Sequence, residues 1–223
     1  MAHRLLYLVR HGEYVSDRDD PLDEGTLTEN GRRQSRLVAE RLRQVPFTVV
    51  HHSTERRAAE TAALITAELP GIPVRPSDLL RECVPALPEP EVLTPAQTAF
   101  FDGLPPESLD EGPRQAEAAL VRYAGLGRGD DGEGDGDGSA GEGDGDRSAG
   151  PELIVSHGNL INWFVCHAVG GPASGWLRLL DYHCAVTVIL YRSDGPAKLV
   201  TYNDASHLPP ELRGTDYPAD WRI

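Results

Sequence analysis

The strongest constraint on the fold is a run of five apolar residues near the N-terminus, from Leu5 to Val9, which ends at Arg10, His11 and Gly12. The run is too short to span a membrane and is typical of a strand buried on both faces of a parallel sheet. In such sheets ligands bind at the carboxyl ends of the strands. A guanidinium, an imidazole and a glycine at that end therefore indicate an anion site. The alternative is that Arg10 and His11 only mark the point where the strand reaches the solvent.

The same arrangement recurs twice along the chain. The β-branched segment 47–51 runs into polar residues 53–57, and the apolar segment 153–155 runs into Ser156, His157 and Gly158. Apolar residues with helical spacing follow each of the three strand ends. The alternation of strand, polar loop and helix predicts a mostly parallel sheet.

Local signals set the expected bounds of the elements. Thr28 is a suitable N-cap for a first helix that Pro46 ends, and Ser53 or Thr54 is expected to cap a second helix through Leu69. The many prolines between 79 and 113 predict that elements there are short. The remaining predicted elements are a strand at 72–74, helices at 94–101, 111–123 and 160–169, and a hairpin of 185–191 with 199–202.

Charge and cysteine content exclude several classes of protein. The 223 residues include 21 Lys and Arg against 35 Asp and Glu, a formal net charge of −14, which disfavours binding to nucleic acids and anionic membranes. The three cysteines are widely spaced, so neither a disulfide framework nor a structural zinc site is predicted. The first strand leaves no room for a signal peptide, and no segment has the roughly 20 apolar residues of a transmembrane helix. We expect a cytoplasmic protein that binds neither nucleic acid nor membrane.

Residues 125–150 differ from the rest of the chain. Glycine alternates there with acidic residues, and positions 128–149 hold eight Asp or Glu and two Arg. A segment without large apolar side chains cannot bury enough surface to offset its loss of conformational entropy. We predict a single domain over 1–223 with a disordered acidic insertion at 125–150.

The strand ends carry a consistent chemistry. In a parallel sheet they lie at one edge, which brings the imidazoles of His11 and His157 close to Arg10 and Arg57. Guanidinium groups and helix N-termini both suit phosphate oxygens. A neutral imidazole in this site can accept a phosphoryl group, and neighbouring positive charge favours the neutral form. Glu82 is a candidate for the acid that protonates the leaving oxygen, although composition alone favours a surface salt bridge with its neighbour.

Five motifs, in this order, resemble the histidine phosphatase superfamily, also called phosphoglycerate mutase-like. They are Leu-Val-Arg-His-Gly at 8–12, Leu-Thr-x-x-Gly-x-x-Gln at 27–34, Ser-x-x-x-Arg-Ala-x-x-Thr at 53–61, Leu-Arg-Glu at 80–82 and Ser-His-Gly at 156–158. The resemblance implies a three-layer α/β/α sandwich with a mostly parallel central sheet, and a reaction that needs no metal or other cofactor.

The resemblance also implies roles for individual residues. His11 would be the phosphorylated nucleophile and Glu82 the proton donor. The residues that would bind the phosphate are Arg10, His11, Arg57, His157 and Gly158. The loops at the mouth of the pocket suggest substrate contacts at the rim from Tyr14, Asp17 and Arg81.

Further segments are similar to the branch of mitochondrial serine/threonine protein phosphatases, which implies hydrolysis of phosphomonoesters or phosphoproteins. They are 10–14, 79–85, 159–166 and 175–179. Asp17 stands where many mutases of the superfamily carry Asn, which weakens a mutase reading. We expect no counterpart here of the membrane-anchoring N-terminus of that branch, so the resemblance carries no inference about mitochondria. We therefore expect a metal-independent phosphatase acting on a phosphorylated small molecule or a phosphoprotein. A phosphoglycerate-type mutase and a non-catalytic phosphate-binding module are the alternatives, and a homodimer is compatible with the family.

The other histidines are assigned no catalytic role. His52 is expected in a structural position near the rim, and His167 and His183 are expected to fill core or surface positions. His207 is a candidate for contact with the pocket through the C-terminal tail.

Overall fold

The computed structural model describes residues 3–16, 24–125 and 150–222. The predicted insertion, apart from residues 125 and 150, and the predicted rim residue Asp17 lie outside these ranges. The strands are β1 (His3–Arg10), β2 (Tyr14–Val15), β3 (Thr26–Leu27), β4 (Val49–Ser53), β5 (Val74–Ser77), β6 (Glu152–Ser156), β7 (Val186–Arg192) and β8 (Gly195–Asp204). The α-helices are α1 (Glu29–Leu42), α2 (Arg56–Thr66), α3 (Pro95–Asp102), α4 (Pro106–Ala124) and α5 (Gly158–Ala168). Short 3-10 helices lie at Asp78–Leu80, Pro90–Val92, Ala173–Arg178, Pro210–Leu212 and Ala219–Trp221.

Six strands form one sheet in the order β5-β4-β6-β1-β7-β8. The strands β5, β4, β6 and β1 run parallel, whereas β7 is antiparallel to β1 and β8 is antiparallel to β7. The short strands β2 and β3 form a separate antiparallel ribbon. The prediction of a mostly parallel sheet is confirmed. Strand β6, which follows the predicted insertion, rejoins this sheet between β4 and β1.

Helices cover both faces of the sheet. On one face α1 and α2 pack against side chains such as Val9 and Val50, and on the other α4 and α5 pack against Leu6 and Ile154. Successive residues of β1 thus point into opposite cores, as the two-residue period of a strand requires. The three-layer α/β/α sandwich is confirmed. None of the helices within the three described ranges has the length and hydropathy that crossing a membrane requires.

Some boundaries differ from the prediction. Strands β4 and β5 each begin two residues later than predicted, because strand pairing rather than the apolar pattern sets their register: β4 pairs with β6, and β5 pairs with β4. The proline content predicts short elements, but α4 is 19 residues long. It begins at Pro106, where a proline lacks only an N–H that has no helical partner. It continues through Pro113 because Ala116 and Leu120 are buried in the core, and burial along this face outweighs the roughly 3 kcal/mol of an interior proline.

The start of α1 is fixed to the loop that follows β1. Thr28 is the N-cap, as predicted, and its hydroxyl oxygen accepts a hydrogen bond from the backbone N–H of Gly31 at 3.0 Å. The same hydroxyl donates to Oε1 of Glu13 at 2.6 Å. A Cβ atom on Gly31 would lie 2.0 Å from the backbone carbonyl oxygen of Glu13. The loop that carries His11 can approach the helix this closely only because residue 31 has no side chain.

Gly31→Ala should destabilise the protein, although alanine in a helix interior is normally favoured over glycine by about 1 kcal/mol. The added methyl group meets backbone atoms, and overpacking of this kind costs about 1–3 kcal/mol. Gly195→Ala is the matched control, because a Cβ atom there meets nothing within 4 Å. Thermal and chemical unfolding followed by circular dichroism measure the difference. A Gly31→Ala protein as stable as its parent would contradict the close approach.

Candidate active site

The carboxyl ends of three adjacent parallel strands lie side by side at one edge of the sheet. Arg10 at the end of β1 is in register with Ser156 at the end of β6, and β4 flanks β6 on its other side. His11 and His157 are the residues that directly follow these two strands, and their ring centroids are 5.0 Å apart. Helices α2 and α5 begin at the same edge, and helix N-termini carry partial positive charge. The structure therefore has the predicted convergence of the strand ends.

The hydrogen bonds of His11 define its protonation. Nδ1 lies 2.8 Å from the carbonyl oxygen of Gly12, which can only accept, so Nδ1 carries the hydrogen and donates it. Nε2 accepts a hydrogen bond from Nε of Arg57 at 3.2 Å, so its lone pair faces the guanidinium. Burial, together with the charges of Arg10 and Arg57, lowers the pKa of His11 well below its ordinary value. The imidazole is therefore neutral.

Arg57 occupies the centre of the site. One of its terminal nitrogens lies 3.1 Å from Nδ1 of His157 and 2.5 Å from a carboxylate oxygen of Glu55. Because a guanidinium only donates, His157 accepts at Nδ1, and its Nε2 donates to the hydroxyl oxygen of Ser53 at 2.8 Å. Burial and the neighbouring positive groups lower the pKa of His157 well below its ordinary value. The site thus holds two neutral imidazoles around one charged arginine.

Arg10 is held by the segment before β7 and by the C-terminal tail. Its terminal nitrogen donates to the carbonyl oxygen of Asp181 and forms an ion pair with Oδ2 of Asp216 at 2.8 Å. Its Nε is buried and has no hydrogen-bond partner within the described ranges. Burial raises the pKa of the Asp181 carboxyl group to about 7, against the opposing charge of Arg10. Nε of Arg10 therefore remains available for an oxygen atom of a ligand, because it has no hydrogen-bond partner among the described residues.

Glu82 lies just after the 3-10 helix Asp78–Leu80. Its backbone N–H donates to Oε1 of Glu55 at 2.9 Å, and its own Oε1 accepts from the backbone N–H of Cys83 at 3.2 Å. Burial raises the pKa of Glu82 to about 7, although the nearby charges of Arg10 and Arg57 act in the other direction. At neutral pH this carboxyl group is therefore partly protonated, which is the state that a general acid needs.

The other predicted site residues lie at different depths. Gly158 begins α5 against Arg10, since a Cβ atom on it would be 3.5 Å from Nε of that arginine. Tyr14, predicted at the rim, lies deeper: its ring is 5.0 Å from that of His11 and 4.8 Å from the guanidinium carbon of Arg57. The side chain of Arg81 is 39% exposed and pairs with Glu24 at 2.9 Å, so it lies at the edge of the site.

Three of the remaining histidines contact other parts of the chain. Nδ1 of His52 bonds to the carbonyl oxygen of Ser53 at 2.9 Å. Nε2 of His207 bonds to the carbonyl oxygen of Cys184 at 3.0 Å, so the C-terminal tail is anchored there next to β7. The exposed His167 stacks near Trp163 on α5.

Sequence reasoning missed four residues of the site: Glu55, Asp181, His183 and Asp216. Glu55 had a signal, since it lies within the strand-end motif two positions before the predicted arginine. The expectation that His183 is a filler is wrong, because its ring lies 5.4 Å from that of His11. Asp181 and His183 precede β7, which is antiparallel to β1 and so starts at the edge where β1 ends. No local pattern connects the tail residue Asp216 with this edge.

The site as a whole is suited to an oxyanion. It offers two guanidinium groups, two helix N-termini and an imidazole lone pair, all close to a carboxyl group that can supply a proton. Within the described ranges, no three His, Cys, Asp or Glu side chains are arranged to hold a metal ion. These groups match those needed to transfer a phosphoryl group through nitrogen.

Comparison with known proteins agrees with this chemistry. Residues 6–86 and 142–205, more than half of the chain, match the histidine phosphatase superfamily (branch 1). Two curated relatives are named serine/threonine-protein phosphatase PGAM5, mitochondrial. The one from Caenorhabditis briggsae is 33% identical and the one from Mus musculus is 31% identical, each over 94% of this chain and 66% of the relative. The chain thus spans just under two thirds of the length of these relatives.

A solved structure shows the same fold. The phosphoglycerate mutase of Plasmodium falciparum superposes with a TM-score of 0.54 at 22% identity, over 94% of this chain and 96% of that one. At this identity the likeness speaks for the fold alone.

The predicted location is contradicted by these findings. The curated relatives are named mitochondrial phosphatases, whereas composition and the start of the chain led us to expect a cytoplasmic protein. Neither the net charge nor the wide spacing of the cysteines distinguishes these compartments, so these features could not decide the location. The similarity to the phosphatase branch is confirmed by the same relatives. A match over more than half of the chain, on a fold whose strand ends meet as the motifs require, establishes that the chain belongs to the histidine phosphatase superfamily.

Proposed function

We propose that this chain hydrolyses phosphomonoesters through a phosphohistidine formed on Nε2 of His11. The observation that carries the proposal is the state of this side chain: it is neutral, its Nδ1 donates to Gly12, and its Nε2 lone pair faces Arg57. The superfamily match and the phosphatase names of the relatives support the same activity. Since those relatives are named serine/threonine-protein phosphatases, phosphoserine and phosphothreonine in proteins are candidate substrates beside small phosphorylated molecules.

In the first step, the Nε2 lone pair of His11 forms a bond to phosphorus while the bond from phosphorus to the ester oxygen breaks. The leaving oxygen takes a proton from the Glu82 carboxyl group. Arg57 moves its Nε hydrogen bond from His11 to a phosphoryl oxygen, and Arg10 contributes its unpartnered Nε. The carbonyl oxygen of Gly12 keeps its bond to Nδ1 and stabilises the positive charge that develops on the ring.

In the second step, water attacks the phosphorus of the phosphohistidine, and the electron pair of the P–N bond returns to Nε2. The Glu82 carboxylate takes a proton from the water, which restores its acid form. His157 holds Arg57 through its Nδ1 and is itself oriented by Ser53. The arginines and helix N-termini supply the positive charge for both steps, so the scheme needs no metal ion.

Two other activities fit the same pocket. A mutase would return the phosphoryl group to an alcohol and depend on a bisphosphorylated primer, and a binding module would hold phosphate without turnover. The fold does not separate these activities, because a mutase shares it. A carboxyl group with a pKa raised to about 7 beside the pocket supports catalysis over binding alone.

His11→Ala should abolish turnover of p-nitrophenyl phosphate, with a loss on the order of 10⁴-fold or more because the nucleophile is gone. The parent enzyme, quenched during turnover of a phosphate-labelled substrate, should carry acid-labile, alkali-stable phosphate on His11. His167→Ala, an exposed histidine on α5, is the control and should behave as the parent. Full activity of His11→Ala would refute the mechanism. Release of inorganic phosphate without a primer separates hydrolysis from mutase action.

The loss of activity caused by Glu82→Gln should depend strongly on the leaving group of the substrate. A loss of about 10²–10⁴-fold in kcat/KM is expected for an alkyl phosphate, whose alkoxide needs a proton, and a much smaller loss for p-nitrophenyl phosphate. In the parent, kcat/KM for the alkyl phosphate should fall as pH rises through about 7, because the acid form of Glu82 is lost above its pKa. Equal losses on both substrates, or an unchanged pH profile in Glu82→Gln, would remove Glu82 from the role of acid.

A further inference from the structure

A cavity of about 440 Å³ adjoins the nucleophile. Tyr14 and His183 line it, and their rings lie 5.0 and 5.4 Å from the ring of His11. Arg10 lines it as well and links it to the site, since the charge of Arg10 also acts on Glu82. The cavity is therefore placed, and is large enough, to hold the part of a phosphomonoester beyond its phosphoryl group.

Residues that line the cavity have unsatisfied polar atoms. Nε2 of His183, Nε of Arg10 and the hydroxyl of Thr215 are buried and have no hydrogen-bond partner in the described parts of the chain. His183 is only 2% exposed. Leaving a buried polar group without a partner destabilises the protein, and a bound molecule with oxygen atoms could supply the missing hydrogen bonds. The cavity thus has the features of a binding site for a polar molecule.

Among the described residues that line the cavity, the charged side chains are two carboxylates and one arginine. Asp216 lies with Oδ2 2.8 Å from Arg10 and Oδ1 3.4 Å from Nδ1 of His183. Burial lowers the pKa of His183 well below its ordinary value, so this imidazole adds no positive charge. When a phosphoryl group binds to the guanidinium of Arg10, the carboxylates of Asp216 and Glu13 are the charged groups of the described lining that face the rest of the substrate.

Of the two carboxylates, that of Asp216 should interact more strongly with a charged ligand. Glu13 is fixed at the N-terminus of α1, where it accepts the hydroxyl hydrogen of Thr28 at 2.6 Å and where the helix dipole offsets its charge. Asp216 lies on the C-terminal tail with a side chain 27% exposed, and its ion pair is with the very arginine that a phosphoryl group would engage.

We propose that this cavity receives the leaving group of the substrate and that Asp216 selects against leaving groups with negative charge. The inference rests on the phosphatase activity proposed above and narrows its substrates. They are phosphomonoesters of neutral or positively charged alcohols, whereas alcohols that carry a carboxylate or a second phosphate are disfavoured. Asp216 is thus a specificity-determining residue.

Three substrates of similar size test the selection: 2-aminoethyl, 2-hydroxyethyl and carboxymethyl phosphate, whose leaving groups are positive, neutral and negative at pH 7.5. The parent should show kcat/KM falling in that order. In Asp216→Asn the ratio between the first and the last should shrink on the order of tenfold, as expected for one charge acting over several ångströms near a protein surface. Asp220→Asn removes an exposed carboxylate of the same tail outside the cavity and should keep the parent ratio.

Other outcomes overturn the proposal. If Asp216→Asn changes kcat/KM for all three substrates by the same factor, Asp216 does not select among leaving groups. It then only positions Arg10 or competes with the phosphoryl group for Arg10. A parent without preference also refutes the selection, and this result needs no variant. Should Asp216→Asn fail to fold, the preference of the parent should still weaken at 0.5 M salt, which screens an exposed carboxylate (Debye length about 4 Å). If the parent turns over none of these substrates nor p-nitrophenyl phosphate, the phosphatase activity itself fails and the selection falls with it.

Discussion

The parallel pairing of β1, β6 and β4 is the constraint on which the rest of the site depends. It places the ends of three strands at one level and forces the guanidinium groups of Arg10 and Arg57 into a buried space. Two such charges would repel each other, and each has an acidic partner: Asp216 for the first and Glu55 for the second. Removing one partner of a buried ion pair commonly costs 3–5 kcal/mol, because the remaining charge is left uncompensated. The fold therefore sustains a strongly cationic site only together with these carboxylates.

Burial in this site acts in opposite directions on the two kinds of titratable group. It lowers the pKa of His11 and raises the pKa of Glu82 to about 7, because in both cases it disfavours the charged form. The arginine charges reinforce the effect on the imidazole and oppose it on the carboxyl group. A neutral nucleophile and a protonated acid can thus coexist near neutral pH, a combination that the ordinary pKa values of histidine and glutamate would not provide.

The antiparallel half of the sheet brings to the site residues that sequence reasoning missed. Because β7 runs against β1, the residues before it, including Asp181 and His183, arrive at the edge where the phosphate would bind. Because β8 returns to the same edge, the tail that follows it can place Asp216 on Arg10. In the proposed reaction, the parallel strands thus carry the groups for phosphoryl transfer, and the antiparallel strands and the tail carry the groups that would face the remainder of the substrate.

The sequence by itself determined the strand-loop-helix order and the mostly parallel sheet. It also determined the candidate residues Arg10, His11, Arg57 and His157, because each of them lies close behind a short apolar strand. Such patterns extend over a few residues only and can be recognised without the fold. Only the tertiary structure decided which nitrogen of His11 holds the proton and that the half-buried Glu82 is affected by the charges of two arginines. The salt-bridge reading suggested by composition does not hold, because Arg81 pairs with Glu24. The tertiary structure also decided that His183 and Asp216 belong to the site. The physical reason is that these properties depend on burial and on contacts between segments up to two hundred residues apart, which no local pattern encodes.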